Sequence, residues 1–184
     1  MNFEIMRIYL AGPDVFLPEP LKIARAKQEI CQAYGFVGLF PFDANLDLSN
    51  LSPFEMGIAI YTSNIELMDS CDLIIANMTP FRGPSMDVGT AFEMGYMAAQ
   101  GKPVFGYTND ERLYTQRVTV STPGWDANGM SIESFEMADN LMLEGAIFTS
   151  GGVLMREQIS SEFYYTELKV FETTVQSAAE RLLY

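Results

Sequence analysis

Histidine does not occur anywhere in this sequence. Its absence excludes Ser-His-Asp and Cys-His nucleophile systems and histidine metal sites. Acid–base chemistry near neutral pH then falls mainly to carboxylates, with tyrosine or lysine as helpers. Cysteine is scarce. Cys31 and Cys71 match no zinc spacing, and both stand in apolar helical contexts that suit buried small hydrophobes. Basic residues are few, 11 against 24 acidic ones, for a formal charge of −13. Without clustered Lys and Arg a nucleic-acid polymer is a poor partner, and no basic amphipathic helix points to a membrane surface. The acidity suits a solvated face, and a small neutral substrate fits it better than a polyanion. No apolar run reaches the roughly 18 residues of a membrane span. The N-terminal "MNFEIMRIYLAGPD" has a single basic residue and no small-residue cleavage site, so the expectation is a soluble, cytoplasmic protein.

What is present points to one domain. The chain has 184 residues and is 48% hydrophobic, enough for a substantial core. "MRIYLAG" (6–12) is an apolar strand ended by Gly12-Pro13. Residues 18–35 read as a helix with Leu21, Ala24, Ile30 and Ala33 at helical spacing. "FVGLFPF" (36–42) is a short strand stopped at Pro41. Residues 52–71 form a helix opened by Ser52, Pro53 and Glu55, the pattern of a capping box. "DLIIANM" (72–78) is a strand of the kind buried on both faces. Pro84 to Gln100 is a helix with Val88, Phe92, Met94, Met97 and Ala98 as its apolar stripe, and "KPVFGYT" (102–108) is a fourth strand. This alternation predicts an α/β fold with a doubly wound parallel sheet. Beyond it, residues 109–129 read as a long loop with room for a short strand at 117–121, a lid or only a connection. A helix over 131–147, a strand near Ala146–Thr149 and a long terminal helix over 156–184 complete the expectation.

In an open parallel sheet ligands bind beyond the carboxyl ends of the strands. The segments that meet there supply Asp14, Asp43, Asp47, Asp87 and Asp110, with Arg82 as the one obvious cation. That set is too acidic for a phosphate cradle, and the spacings of dinucleotide and P-loop motifs are missing. A nucleotide cofactor is disfavoured, and no ligand pattern supports a metal. Within "DVGTAFEMG", Glu93 leans toward the helix N-terminus over Gly89, whose missing side chain leaves room beside the carboxylate. The same helix terminus favours an ionised Glu93. Such a carboxylate in a partly dry pocket can attack an electrophilic sugar carbon, and Asp87, roughly 9 Å away along the helix, can face the leaving group. Plainer readings carry more weight from spacing alone. Asp87 would be an N-cap, Glu93 a surface glutamate, Gly89 and Gly95 packing glycines, and Tyr9 a strand residue.

Three stretches taken together, "RIYLAGPDVF", "NIELMDSCDLIIANMTPFRG" and "DVGTAFEMGYMAAQGKPV", with "DNLMLEGAI" later, resemble the nucleoside 2-deoxyribosyltransferases. The resemblance runs from residue 7 to about 108 and resumes at 139–147. It implies a flavodoxin-like sheet in one domain spanning 1–184, and a cofactor-free enzyme. That enzyme would move 2-deoxyribose between the nucleobases of 2′-deoxynucleosides through a covalent deoxyribosyl–enzyme intermediate. Glu93 falls on the family's nucleophile, Asp87 on the acidic residue that helps protonate the base, and Tyr9 on the tyrosine that holds the nucleophile's carboxylate. Phe16 and Asp43 fall in loops around the base, and Gly12 and Gly89 are further candidate substrate-binding positions. Asn140 falls on an asparagine that reaches a neighbouring subunit's site, so a homo-oligomer is implied. Asn64 stands where many members carry aspartate, which implies substrate positioning without proton donation. The C-terminus is extended, and Tyr184 is not assigned to the site.

Two alternatives share this fold. A deoxynucleoside 5′-monophosphate N-glycosidase needs a phosphate nest after the first strand, where "AGPDVFLPEP" has two acids and no base. A non-catalytic nucleotide-sensing module would bind ligand without turnover.

Overall fold

The computed structural model describes residues 5–41 and 46–183. Its frame is a five-stranded sheet built from β1 (Arg7–Ala11), β2 (Val37–Leu39), β3 (Leu73–Asn77), β4 (Val104–Thr108) and β7 (Leu154–Arg156). The strand order is β2-β1-β3-β4-β7 and every pairing is parallel. That is the flavodoxin-like, doubly wound order. The chain runs outward from β1 to β2, then returns to add β3 on the other side of β1, so the order reverses between β1 and β3. The crevice at such a reversal is where ligands bind.

Alternation along the strands divides the core into two layers. Ile8, Leu10, Leu73, Ile75, Phe105 and Tyr107 face α1 (Pro20–Ala33) and the terminal α6 (Lys169–Leu182). Tyr9, Ala11, Ile74, Ala76 and Val104 face α2 (Pro53–Asp69), α3 (Val88–Ala99) and α5 (Leu141–Thr149). Both cysteines are free and buried. α2 carries the expected capping box: the Ser52 side chain accepts from the Glu55 amide, and Glu55 accepts from Ser52 N at 2.8 Å. No described helix is long and apolar enough to cross a membrane.

Several elements differ from the expectations. The buried stripe of α1 is Ala24, Lys27 and Cys31, whereas Leu21 is half exposed. A lysine lies in that stripe because a buried aspartate, Asp14, meets it in an ion pair. α3 opens at Val88, because Asp87 is its N-cap, and it buries Thr90, Met94 and Met97 while Val88 and Phe92 are exposed. Residues 146–149 belong to α5, not to a strand, and 131–140 are mostly irregular. The fifth strand comes later, at Leu154–Arg156. The terminal helix starts only at Lys169. Before it, Asn109 Nδ2 donates to the carbonyls of Tyr164 (2.7 Å) and Glu167 (3.1 Å), and Tyr165 donates to Pro80 O. Those long-range bonds take up backbone and side-chain groups that a local helix would otherwise organise. Residues 109–130 hold α4 (Tyr114–Arg117) and a small antiparallel hairpin of β5 (Val120–Thr122) and β6 (Trp125–Asp126).

Lys27 and Asp14 are 1% and 0% exposed at their side chains. Asp14 Oδ1 also accepts from Asn77 Nδ2 at 3.1 Å, and the Lys27 ammonium lies 5.3 Å from the Tyr107 ring centre and 5.2 Å from that of Phe171. Removing one member of a buried pair leaves the other charge uncompensated. Lys27→Met is therefore expected to destabilise the fold by about 3–5 kcal/mol, read as a lower denaturant midpoint. A loss below about 1 kcal/mol, the range of exposed pairs, would show that the pair is not buried in solution.

Candidate active site

A cavity of about 590 Å³ opens beyond the carboxyl ends of β1 and β3, on the side of the sheet covered by α2 and α3. Its size is within the usual range for small-molecule sites. Gly12, Phe16, Asn64, Asp87, Gly89 and Glu93 all line it. The fold thus brings together residues that lie up to 81 positions apart.

Glu93 is placed by α3 and met by β1. Tyr9 is the middle residue of β1, fully buried, and its hydroxyl donates to Glu93 Oε1 at 2.6 Å. Burial pushes the Tyr9 phenol far above its ordinary value, and the Glu93 charge adds to the rise, so it remains a donor. Glu93 does not behave as the helix-terminus argument expected. Burial pushes its carboxyl up to about 7; the Tyr9 hydrogen bond pulls it down and the Asp87 charge pushes it up. The helix field acts within the first turn, and Glu93 is the sixth residue of α3. Desolvation therefore wins.

These shifts have a sign that can be measured. A carboxyl raised to about 7 is protonated below that pH and ionised above it. Chemistry that needs the carboxylate should show kcat/KM rising through a midpoint near pH 7. Tyr9→Phe removes the bond that favours the ionised form, so the midpoint should move alkaline, with a greater loss at pH 6 than at pH 9. A pH–rate profile of the two proteins checks this; an unmoved midpoint would remove Tyr9 from the control of Glu93.

Asp87 combines two roles that spacing alone set against each other. It caps α3, its Oδ2 accepting from Thr90 N at 2.9 Å and Thr90 Oγ1 at 3.1 Å, and it also lines the cavity. Gly89 makes room for this carboxylate as well: a Cβ there would stand 3.0 Å from Asp87 Oδ2. Gly12 is required by close approach, since a Cβ would stand 2.6 Å from Asp14 Oδ2 and 2.7 Å from Asn77 Cβ. Phe16 is stacked on Phe81 at 5.3 Å, with the Arg82 guanidinium 5.0 and 4.6 Å from the two ring centres.

The set of acids is less negative than the sequence suggested. Asp14 is neutralised by Lys27, and Asp110 by Arg112, at 2.6 Å. Neither lines the cavity, nor does Asp47. Among the described residues, no group of three or more His, Cys, Asp or Glu could hold a metal ion. Asp43 lies outside the described residues, as does Tyr184. Asn140 is not brought to the cavity of its own chain. It caps α5, accepting from Met142 N at 3.0 Å, and its Nδ2 donates to Glu133 Oε1 at 2.6 Å.

The family model for nucleoside 2-deoxyribosyltransferase matches residues 8–142. The chain belongs to the nucleoside 2-deoxyribosyltransferase family. An uncharacterized Schizosaccharomyces pombe protein is 35% identical over an alignment of length 195 that covers 95% of this chain and 89% of that one. Among solved structures, a 2-deoxyribosyltransferase from Leishmania mexicana superposes with a TM-score of 0.66 at 28% identity, covering 93% of this chain and 97% of that one. A conserved protein from Enterococcus faecalis superposes with a TM-score of 0.59 at 25% identity, covering 97% and 100%.

In this deoxyribosyltransferase-family chain the apolar wall of the cavity was not legible from spacing. Val15, Pro41, Leu46, Leu48 and Ile60 contribute to it. The alternation of Leu46 and Leu48 between polar residues was the one local signal. Ile60 gave none, because one more apolar residue in an apolar helix is indistinguishable from core.

Proposed function

We propose that this protein exchanges the nucleobase of 2′-deoxynucleosides through a covalent deoxyribosyl–Glu93 intermediate. The observation that carries this reading is the Tyr9–Glu93 pair, 2.6 Å apart, opening on a nucleoside-sized cavity shared with Asp87. Tyr9 occupies Oε1 and leaves Oε2 for the anomeric carbon. As the glycosidic bond loosens, C1′ gains oxocarbenium character and Glu93 closes on it from the face opposite the base. Asp87 relays a proton from solvent to the departing base as the bond breaks. A second base enters, loses a proton by the same route and takes the sugar, so the two displacements retain configuration. A 2′-hydroxyl would withdraw electrons from the cation, which favours deoxyribose.

The substrate is a neutral nucleoside. None of the described residues lining the cavity is lysine or arginine, so a 5′-phosphate would meet two carboxylates on that lining; Arg82, the cation over Phe16, stacks on the ring from outside the lining. Asn64 offers its amide to the substrate; its Oδ1 is buried without a hydrogen-bond partner among the described residues. A second copy of the chain completes the site by supplying Asn140. Apolar side chains left exposed on α3 and α5, Val88 (84%), Met142 (71%) and Phe148 (85%), suit such an assembly.

Incubation with deoxyadenosine and a second free base tests the reading by chromatography. The deoxynucleoside of the second base is the expected product. Free deoxyribose alone would make the protein a hydrolase, and no reaction across several donors would leave a binding module. Sedimentation at several concentrations tests the assembly.

A further inference from the structure

We infer that Asp139 is a positioning residue for Asp87. Its buried carboxylate, braced by Arg117, fixes the turn that presents Asp87 to the cavity. The inference rests on the deoxyribosyl-transfer reading only for what Asp87 does.

Asp139 is 2% exposed and lies 52 residues from Asp87 in sequence. Oδ1 accepts from the Ser85 hydroxyl, and from Asn140 N at 2.8 Å. Oδ2 accepts from Met86 N at 2.9 Å and stands 3.5 Å from Arg117 Nη2. Two of these donors belong to the residues just before Asp87. The Met86 side chain is itself 3% exposed and packed in the layer that holds Met94 and Met97. Asp87 is therefore tied on both sides, downstream by Thr90 and upstream by Asp139.

Arg117 completes the brace. Its Nη2 also donates to Ala138 O, while Nε and Nη1 are buried without partners among the described residues. Burying such donors is unfavourable, and a buried ion pair adds little net stability over apolar packing. What the pair does provide is geometry: it joins α4, the 138–140 segment and the 85–87 turn at one point. One carboxylate thereby ties the position of Asp87 to that of Asn140, the residue proposed for the neighbour's site.

The test uses the full chain with Asp139→Asn and, as a milder second variant that removes one anchoring donor and keeps the buried ion pair, Ser85→Ala, each also in an Asp87→Asn background. Turnover is followed with deoxyadenosine, whose base needs a proton to leave, and with 7-methyl-2′-deoxyguanosine, whose base is already cationic. A misplaced Asp87 should lower kcat for deoxyadenosine about 10- to 100-fold, with KM little changed and the cationic donor nearly unaffected. In the Asp87→Asn background either substitution should add no further loss. Equal losses on both donors, or additive losses in that background, would overturn the inference. Amide exchange of Ser85–Thr90 gives a readout free of catalysis. Faster exchange confined to that segment supports the anchor, and unchanged exchange overturns it. If the unmodified protein turns over neither donor, the transferase reading fails, and the exchange result still decides the role of Asp139.

Discussion

Glu93→Gln is expected to abolish base exchange, with kcat falling by at least about 10³-fold. The substitution keeps the shape and the hydrogen bond from Tyr9, since the amide oxygen still accepts, but an amide cannot form the glycosyl ester. Intact-mass measurement after mixing with deoxyadenosine should show one deoxyribosyl adduct on the unmodified protein and none on the variant. The same substitution should stabilise the fold at alkaline pH. The folded-state carboxyl titrates at about 7, above its ordinary 4.5, so the native state binds more protons than the unfolded state between those values. Stability from this group therefore falls as pH rises through that window and stays low above it. Glu93→Gln removes that loss, gaining on the order of 3 kcal/mol at pH 8 and little at pH 4. Equal thermal midpoints for the two proteins across this range would show that Glu93 is solvated, and the nucleophile assignment would fall with it.

Asp87→Asn should lower kcat for deoxyadenosine by about 10²- to 10⁴-fold, the usual contribution of general acid–base catalysis. The fold should survive, because asparagine is as good an N-cap as aspartate and can still accept from Thr90 N. Two further signatures follow. The like charge of Asp87 helps hold the Glu93 carboxyl up, so its removal should move the rising limb of the pH profile toward acid. A donor with a cationic base should be spared, since it leaves without a proton. A uniform loss across donors, with the pH midpoint unmoved, would make Asp87 a cap and nothing more.

The substitutions at Tyr9 and Asp87 move the same midpoint in opposite directions. Tyr9 donates to the carboxylate and favours its charge; Asp87 repels it. Burial sets the starting point, and these two neighbours adjust it.

Local chemistry in the sequence determined much of the fold. The run Leu73–Ala76, buried at every residue, read as a strand covered on both faces because such parallel strands are nearly continuous apolar runs. Ser52, Pro53 and Glu55 announced α2, since a capping box is satisfied within four residues. The alternation of strands and helices fixed a parallel sheet, and the glycine and acids around Glu93 marked where chemistry could sit. Tertiary structure alone decided the rest. Lys27 looks like a surface lysine until Asp14 meets it in the core. The fifth strand depends on pairing with β4, 48 residues earlier, and the late start of α6 on Asn109 and Pro80, more than fifty residues away. Asp139 reads as an ordinary loop acid until Ser85, Met86 and Arg117 converge on it. The charge on Glu93 was decided the same way. Proximity to a helix terminus is visible along the chain, but desolvation depends on what the whole molecule packs around the carboxylate, and here desolvation is the larger effect.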